Sequence, residues 1–197
     1  VELGWPREQA EAYMLITNCL AAPLAAAVRE RERRYAASTH LVCEALAERA
    51  RRQTEPAPLV YKNLTGKFGL ATKDPAWEAL TRPEVAAGDS FVTSGVAQGA
   101  IPNTNNYPDA QGFRVFTQTG TEQAFELQES DVVCIRSAAA DADGLHSLVR
   151  TGWGTHTLPP LATVTLESVQ EAGEWEANGH RVQRRRFTVR VLYRDRA

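Results

Sequence analysis

The spacing of hydrophobic residues changes once along this chain, at Glu55-Pro56-Ala57-Pro58. Before that point apolar residues recur at three- and four-residue steps, as at Tyr13, Ile16 and Leu20, which is typical of helices. After it, short β-rich segments alternate with clusters of Gly, Pro and Asn. The pattern predicts an α+β fold in which an N-terminal helical cap precedes a mostly antiparallel, two-sheet β core.

A chain of 197 residues with 43% hydrophobic content can bury a real core, so we expect a single domain. Its cap is predicted to span residues 1–56 and its β core residues 57–197. Two or three packed helices are expected in the cap, and Pro23 should end or kink the first of them. The second should bury one face, formed by Tyr35, Leu41, Val42, Leu46 and Ala50.

The predicted strands cover residues 59–61, 90–93, 112–119, 124–127, 132–135, 162–169 and 186–193. In the last of these, Phe187, Val189 and Val191 alternate strictly with polar or longer side chains, which indicates a strand near a sheet edge or with a half-solvated face. Asn178-Gly179 predicts a hairpin turn that pairs this strand with residues 162–169.

A short helix is predicted around Trp77. Asp74 is a suitable N-cap for it, and Pro75 suits its first turn. We expect Trp77 to pack this helix onto the sheet.

Bulk composition excludes little but sets expectations about partners. The formal net charge of -2 gives no global reason for binding nucleic acid or an anionic membrane. Cys19, Cys43 and Cys134 are an odd number at wide spacing, which favours reduced thiols in an intracellular compartment. No apolar run is long enough to span a membrane, and no secretory signal is visible; the missing N-terminal Met suggests an excised domain or processed product. The histidines are too scattered for a metal site, so no metal is predicted.

Arginines are concentrated near the C-terminus, at Arg181, Arg184, Arg185 and Arg186. Two interpretations stay open. Charge on a hairpin can protect a sheet edge from aggregation, or the cluster can bind an RNA or an acidic partner. The earlier charged run at residues 29–34 is interleaved with glutamates and is predicted to be a solvated helix face.

Three short motifs follow one another in a recognisable order. They are Pro58-Leu59-Val60-Tyr61-Lys62-Asn63-Leu64, then Phe91-Val92-Thr93-Ser94-Gly95, then Leu158-Pro159-Pro160 leading into a strand. Over almost its whole length the chain thereby resembles the mono-ADP-ribosyltransferases of the arginine-serine-glutamate type. In that family the first motif resembles Val-Tyr-Arg-Gly and its arginine holds NAD, the second reads Phe-x-Ser-Thr-Ser, and a Glu-x-Glu pair precedes the third.

This chain departs from the family at the functional positions. Lys62 stands where the NAD-binding arginine is expected, and Asn63 replaces a small glycine. Thr93-Ser94-Gly95 lies over Ser-Thr-Ser, while Thr155 and Trp153 lie over the catalytic glutamate and the first acid of the pair. If NAD binds at all, the resemblance implies contacts with Tyr61, Lys62, Asn63, Phe91, Thr93, Ser94 and Trp153.

We therefore expect a catalytically degenerate domain that serves as a protein-interaction or structural module, with no cofactor and with Lys62, Thr93 and Thr155 as degenerate catalytic positions. His156 is either a replacement general base or a polar loop residue at a strand entrance. The resemblance implies that Trp153 lies at the mouth of the former NAD cleft, and we expect its ring to plug the pocket. Glu122, Glu126 and Glu129 stay open as acids that reach the cleft from elsewhere.

Two alternatives remain. One is a divergent, active NAD-dependent transferase or NAD glycohydrolase that uses Lys62, Thr93, Ser94 and His156. The other is an adaptor that binds RNA or an acidic partner through the C-terminal arginine cluster.

Overall fold

The computed structural model describes residues 4–55, 57, 59–65, 69–100, 131–137, 146–151, 155–177 and 180–193, without the side chains of residues 18, 19, 100 and 171–184. The strands predicted at 112–119 and 124–127, and the turn residues Asn178-Gly179, lie outside this part of the chain. The helices are α1 (Arg7–Met14), a π-helix (Leu15–Cys19), α2 (Ala21–Arg29), α3 (Ala36–Arg52), α4 (Leu70–Lys73) and a 3₁₀-helix (Pro75–Thr81).

The cap begins with a bent pair of helices. The axes of residues 7–17 and of α2 differ by 87°. The break lies at Leu20, three residues before the predicted position, and Pro23 lies in the first turn of α2. A first-turn proline is tolerated because its missing N–H would have no helical partner. In the described residues no single helix is long and apolar enough to cross a membrane; α1 and α2 pass that test only when taken together across their bend.

The third helix buries the face that its spacing predicts. Val42, Leu46 and Ala50 are almost fully buried, and Tyr35 and Leu41 pack beside them. Its C-terminal end also covers one edge of the sheet, because Gln53 bonds to the backbone of Leu148 and Arg150 at 3.1 Å each. The helical cap is thus fixed to the β core by polar contacts as well as apolar ones.

In the described part of the chain eight strands are hydrogen-bonded in the order β2-β7-β8-β4-β1-β3-β6-β5, antiparallel except for β4 and β8. Within these residues one pair, Tyr61 with Ala100, joins β1 to β3. The strands therefore form a five-stranded and a three-stranded sheet, which confirms the predicted α+β fold with a mostly antiparallel, two-sheet core. Their bounds are β1 Val60–Asn63, β2 Ser90–Val92, β3 Ala97–Ala100, β4 Val132–Ser137, β5 Val149–Arg150, β6 Thr155–Leu158, β7 Thr163–Ala177 and β8 His180–Leu192.

The position of β8 corrects half of a prediction. Phe187, Val189 and Val191 are completely buried, while Arg190 on the opposite face is exposed, so the half-solvated face is confirmed. The strand is not at an edge, because β7 and β4 pair with it on either side. Its antiparallel pairing with β7 is as predicted.

Two clusters of apolar side chains hold the layers together. The larger cluster lies on the inner face of the strands and includes Val60, Leu158 and Val189. Trp77 belongs to it: this side chain is fully buried and meets the Phe91 ring edge-to-face at 5.3 Å, as expected for a residue that packs its helix onto the sheet. The second cluster packs the cap against Val149 of β5 and against Val96, which directly precedes β3.

Candidate functional site

Lys62 lies near the end of β1 and is partly buried. Burial lowers the pKa of its ammonium group to about 8, and the nearby Lys73 adds to the effect. Lys73 donates a hydrogen bond to the carbonyl of Thr17 in the π-helix at 3.3 Å, and burial lowers its pKa as well. Among the described carboxylates none forms an ion pair with either lysine. The two cations therefore create a positive potential that no described acid offsets.

Thr93 is fully buried and bound to the loop that follows β6. Its Oγ1 accepts a hydrogen bond from the amide of Ala162 at 3.1 Å and donates to the carbonyl of the same residue at 3.4 Å. Two backbone hydrogen bonds of 2.9 Å tie Thr93 to Ala162 and Leu161. This hydroxyl holds the loop after Pro159-Pro160 in place, and its complete burial keeps it from a substrate.

The next two residues form an amide pair that binds an internal carboxylate. The amides of Ser94 and Gly95 donate to Oδ2 of Asp74 at 2.7 and 2.9 Å. Its other oxygen accepts from the amide of Ala76 at 3.1 Å, which is the predicted N-cap bond. A Cβ atom on Gly95 would lie 3.0 Å from the Cβ of Ala25, so a larger residue there would crowd α2. Asp74 thus serves both as the predicted cap and as the anchor of the Ser94-Gly95 turn.

Thr155 begins β6 and lies opposite Ala100 of β3. Thr93 binds beyond the other end of β6, so the length of the strand, about 10 Å at 3.3 Å per residue, separates the two. The structure therefore does not bring Thr93 and Thr155 together. Thr155 pairs with β3, which is not among the strands predicted from the sequence.

A cluster of hydroxyl groups occupies the same face of β6, two residues further along. Tyr13 of α1 donates to Oγ1 of Thr151 at 3.0 Å, and its oxygen lies 2.8 Å from Oγ1 of Thr157. The two threonine hydroxyls are 2.8 Å apart, and Gln98 of β3 donates to the Tyr13 oxygen at 2.6 Å. Sequence reasoning missed this hydroxyl cluster, because 138 residues separate Tyr13 from Thr151 and no local pattern links them.

His156 lies within β6 and is only 5% exposed, so it is not a loop residue. Strand alternation places it on the face opposite Thr155 and Thr157. Burial, and then the charge of Arg150, lowers its pKa. Its Nδ1 has no hydrogen-bond partner within the described part of the chain. A buried imidazole that faces away from Thr155 is poorly placed to replace a catalytic acid.

The remaining residues of the predicted NAD site are dispersed. Tyr61 is 7% exposed, and burial raises the pKa of its phenol. Asn63 ends β1, and Phe91 packs against Trp77. Trp153, like Glu122, Glu126 and Glu129, lies outside the described residues. Within those residues no three His, Cys, Asp or Glu side chains come together as a metal site.

The predicted partner-binding arginines separate. Arg185 binds Asp131 through its amide and its guanidinium, at distances of 2.8 to 3.1 Å, and lies over the Phe187 ring at 5.1 Å. Arg186 donates to Oε1 of Gln170 across the hairpin. The side chains of Arg181 and Arg184 are outside the described set. Consecutive residues of a strand point to opposite faces, so Arg185 and Arg186 do not form one patch.

Comparisons with known proteins place this fold. No family model matches the sequence, and the search of curated proteins found no match. Among solved structures, the chain is similar to Plx2a, an ADP-ribosyltransferase toxin from Paenibacillus larvae, with a TM-score of 0.57 and 14% identity over 98% of this chain and 89% of that one. The chain is also similar to C3larvin toxin, an ADP-ribosyltransferase from the same organism, with a TM-score of 0.56 and 10% identity over 98% of this chain and 99% of that one. A third similar structure is the enzymatic component C2-I of the C2-toxin from Clostridium botulinum. Its TM-score is 0.55, with 9% identity over 95% of this chain and 44% of that one.

Proposed function

We propose that this chain, which has the mono-ADP-ribosyltransferase fold, does not catalyse ADP-ribosyl transfer and acts as a protein-interaction module. The observation that carries the proposal is the sequence before Pro159-Pro160: by its resemblance to the family motif Thr155 replaces the catalytic glutamate, and no described carboxylate forms an ion pair with Lys62. The chemistry of Thr155, Lys62 and Thr93 supports it further.

The missing acid affects the chemical step. Cleavage of the bond between nicotinamide and ribose develops positive charge on the ribose, which a fixed negative charge stabilises by several kcal/mol. A threonine hydroxyl carries no net charge, and each ~1.4 kcal/mol of lost stabilisation slows the reaction tenfold. Thr155 therefore leaves too little electrostatic stabilisation for useful turnover.

The lysine affects binding. An arginine guanidinium grips a diphosphate through two parallel hydrogen bonds, whereas an ammonium group acts as a point charge. Lys62 also lies at the partly buried end of β1, where burial already disfavours its charged form. Its position thus retains positive charge but loses the geometry of the clamp.

The divergent-enzyme alternative requires Thr93, Ser94 and His156 to meet a substrate. Thr93 is fully buried and His156 nearly so, and the amide of Ser94 is bound to Asp74. A second candidate function is better supported, namely binding of NAD without turnover. The adjacent Lys62 and Lys73 favour it, because two cations without a described acid attract a diphosphate.

The test measures nicotinamide release from NAD and transfer of ADP-ribose to arginine acceptors by the purified protein, with calorimetric titration of NAD at millimolar concentration. We expect no turnover. Detectable arginine-directed transfer by the unaltered chain would overturn the proposal. Heat of NAD binding that disappears in Lys62→Met would select binding without turnover.

A gain-of-function pair sharpens the test. Thr155→Glu restores the charge at the acid position, and Thr155→Gln adds a side chain of the same size without charge. Nicotinamide release by the glutamate variant alone would show that the missing charge is what silences the domain. Equal release by both variants would contradict the electrostatic argument.

A further inference from the structure

The two strands at the ends of the strand order, β5 and β2, differ in how the rest of the chain treats their outer edges. At β5, side chains of α3 bind the backbone groups that point away from β6. Gln53 donates to the carbonyl of Leu148 and accepts from the amide of Arg150, both at 3.1 Å. Nε of Arg49 donates to the carbonyl of Arg150 at 3.0 Å. Contacts of this kind keep a sheet edge from pairing with another chain.

The outer edge of β2 has no such cover. The amide of Thr93 donates to the carbonyl of Ala162, so Thr93 and, two residues earlier, Phe91 turn their backbone groups toward β7. Ser90 and Val92 therefore turn theirs away from β7. Both residues are exposed, Val92 to 52%, and nothing in the described part of the chain bonds to these outward groups. Two N–H and two C=O groups thus lie open at this edge.

The open edge has a fixed length. The next outward amide, that of Ser94, is bound to Asp74 at 2.7 Å. At the other end Gly88 turns its amide inward, to the carbonyl of Leu166 at 2.8 Å, next to the irregularity of β7 at Glu167. The three residues of β2 between these limits include no lysine, proline or bulge, which are devices that block edge pairing. A partner strand therefore finds four backbone groups here and no more.

These four groups are complementary to a second copy of themselves. When two β2 strands run antiparallel about a two-fold axis at Phe91, Ser90 of each copy lies opposite Val92 of the other. Each such pair exchanges two N–H···O bonds, so every outward group of both copies is used. The same register places Asp89 opposite Thr93 of the second copy, so no like charges face each other across the axis.

The aromatic side chain of β2 favours the same axis. Phe91 meets Trp77 edge-to-face at 5.3 Å, yet it stays partly exposed. On the axis it would face Phe91 of the second copy as a pair without hydrogen bonds, in which the Cα atoms are about 4.5 Å apart. Aromatic pairs at such positions stabilise antiparallel sheets. A second copy therefore covers both the open backbone and the partly exposed ring.

We propose that two copies of this chain associate through β2, which joins their five-stranded sheets into one continuous sheet about a two-fold axis. A contact of this kind uses the same surface of both copies and closes as a dimer. The inference goes beyond the interaction role proposed above, because pairing through β2 does not depend on whether the chain turns over NAD. The ladder is short beside a standard interface of about 1,600 Å², so we expect a reversible dimer with a Kd of about 0.1–1 mM.

Sedimentation of the complete chain between about 10 μM and 1 mM tests the inference, with a dimer as the largest species expected. Val92→Pro removes one outward N–H and should raise the Kd more than about tenfold. Val92→Thr is the matched control at the same site: it keeps the N–H and a β-branched side chain, and should change the Kd less than about twofold. Neither variant removes a hydrogen bond within one copy, so both should keep the Tm of the unaltered chain.

Amide hydrogen exchange gives a second measurement, which needs no variant. The amides of Ser90 and Val92 should exchange slowly only at concentrations where the dimer forms. The amide of Thr93 is bound within each copy and should be protected at every concentration.

Four results would overturn the inference: a chain that stays monomeric at the highest concentration, equal loss of association in both Val92 variants, growth beyond a dimer, or exchange at Ser90 and Val92 that does not depend on concentration. The first would leave the edge to a strand of another protein. Turnover of NAD by a dimeric chain would refute catalytic silence and leave this inference standing. A monomeric chain without turnover would refute this inference alone.

Discussion

Replacement of Asp74 by alanine should destabilise the protein severely. This carboxylate is 2% exposed and accepts three backbone hydrogen bonds, from Ala76, Ser94 and Gly95. Each N–H that loses a buried partner costs about 1–3 kcal/mol, and loss of an N-cap about 1 kcal/mol. Removal of a buried charge offsets part of the sum, so we expect a loss of about 4 kcal/mol.

That loss is large enough to measure in two ways. With an unfolding entropy of about 2.1 cal/mol/K per residue, a chain of 197 residues loses about 10 °C in Tm. Urea unfolding, followed by the fluorescence of the neighbouring Trp77, should show a midpoint about 2 M lower at an unchanged slope.

Asp89→Ala is the matched control. Its carboxylate is exposed and accepts one hydrogen bond, from the amide of Ala86 at 2.9 Å. We expect a change below about 1 kcal/mol, since exposed groups exchange protein partners for water. If Asp74→Ala shifted the midpoint no further than Asp89→Ala, the assignment of Asp74 as the anchor of the Ser94-Gly95 turn would be wrong.

Three further outcomes are expected. The folded pKa of Lys62, about 8, lies below its unfolded value of 10.5, so the unfolded chain binds more protons between them. The free energy of unfolding of the unaltered chain, minus that of Lys62→Met, should therefore rise by about 1 kcal/mol between pH ~8 and ~9. A fall in this difference would contradict a buried cation at Lys62. Burial raises the pKa of Cys134 to about 12, so its thiol should react with disulfide reagents only after the protein unfolds. If the folded protein had a fast-reacting thiol that Cys134→Ser removed, this prediction would be wrong. Gly99→Ala places a Cβ 2.8 Å from Cγ2 of Val60 and should lower the free energy of unfolding by about 1–3 kcal/mol. Val60→Ala in the double variant should restore much of this loss. If the losses of the two single variants simply added, the two side chains would not be in contact.

Local patterns predicted those elements whose burial follows their own periodicity. Phe187, Val189 and Val191 alternate strictly and are buried as a set, and Val42, Leu46 and Ala50 form one stripe of α3. In contrast, β3 reads Ala-Gln-Gly-Ala and β6 Thr-His-Thr-Leu, so neither has large apolar residues at alternate positions. Their pairing partners, not their own sequences, make them strands.

The candidate site was harder to predict for the same reason. Asp74 was identified as an N-cap from its neighbours, but its bonds to Ser94 and Gly95 span about twenty residues and leave no local signal. The hydroxyl cluster joins Tyr13 to Thr157, which is 144 residues further along the chain. The order of the motifs predicted the fold. The separation of Thr93 from Thr155 depends instead on the path of β6 and of the loop that follows it, which no local pattern reveals.

The irregularity at Glu167 makes the length of β7 as important as its composition. The register of β7 with β8 shifts between Leu166 and Ser168: the even-numbered Val164 and Leu166 are buried, whereas beyond the shift the odd-numbered Val169, itself 40% exposed, pairs with Phe187. The inside–outside phase of the strand therefore reverses at one residue. A substitution at Glu167 leaves that phase intact and deletion of the residue regularises the ladder, whereas insertion of one residue directly after it would move Ser168, Val169 and Gln170 to the opposite faces of the sheet.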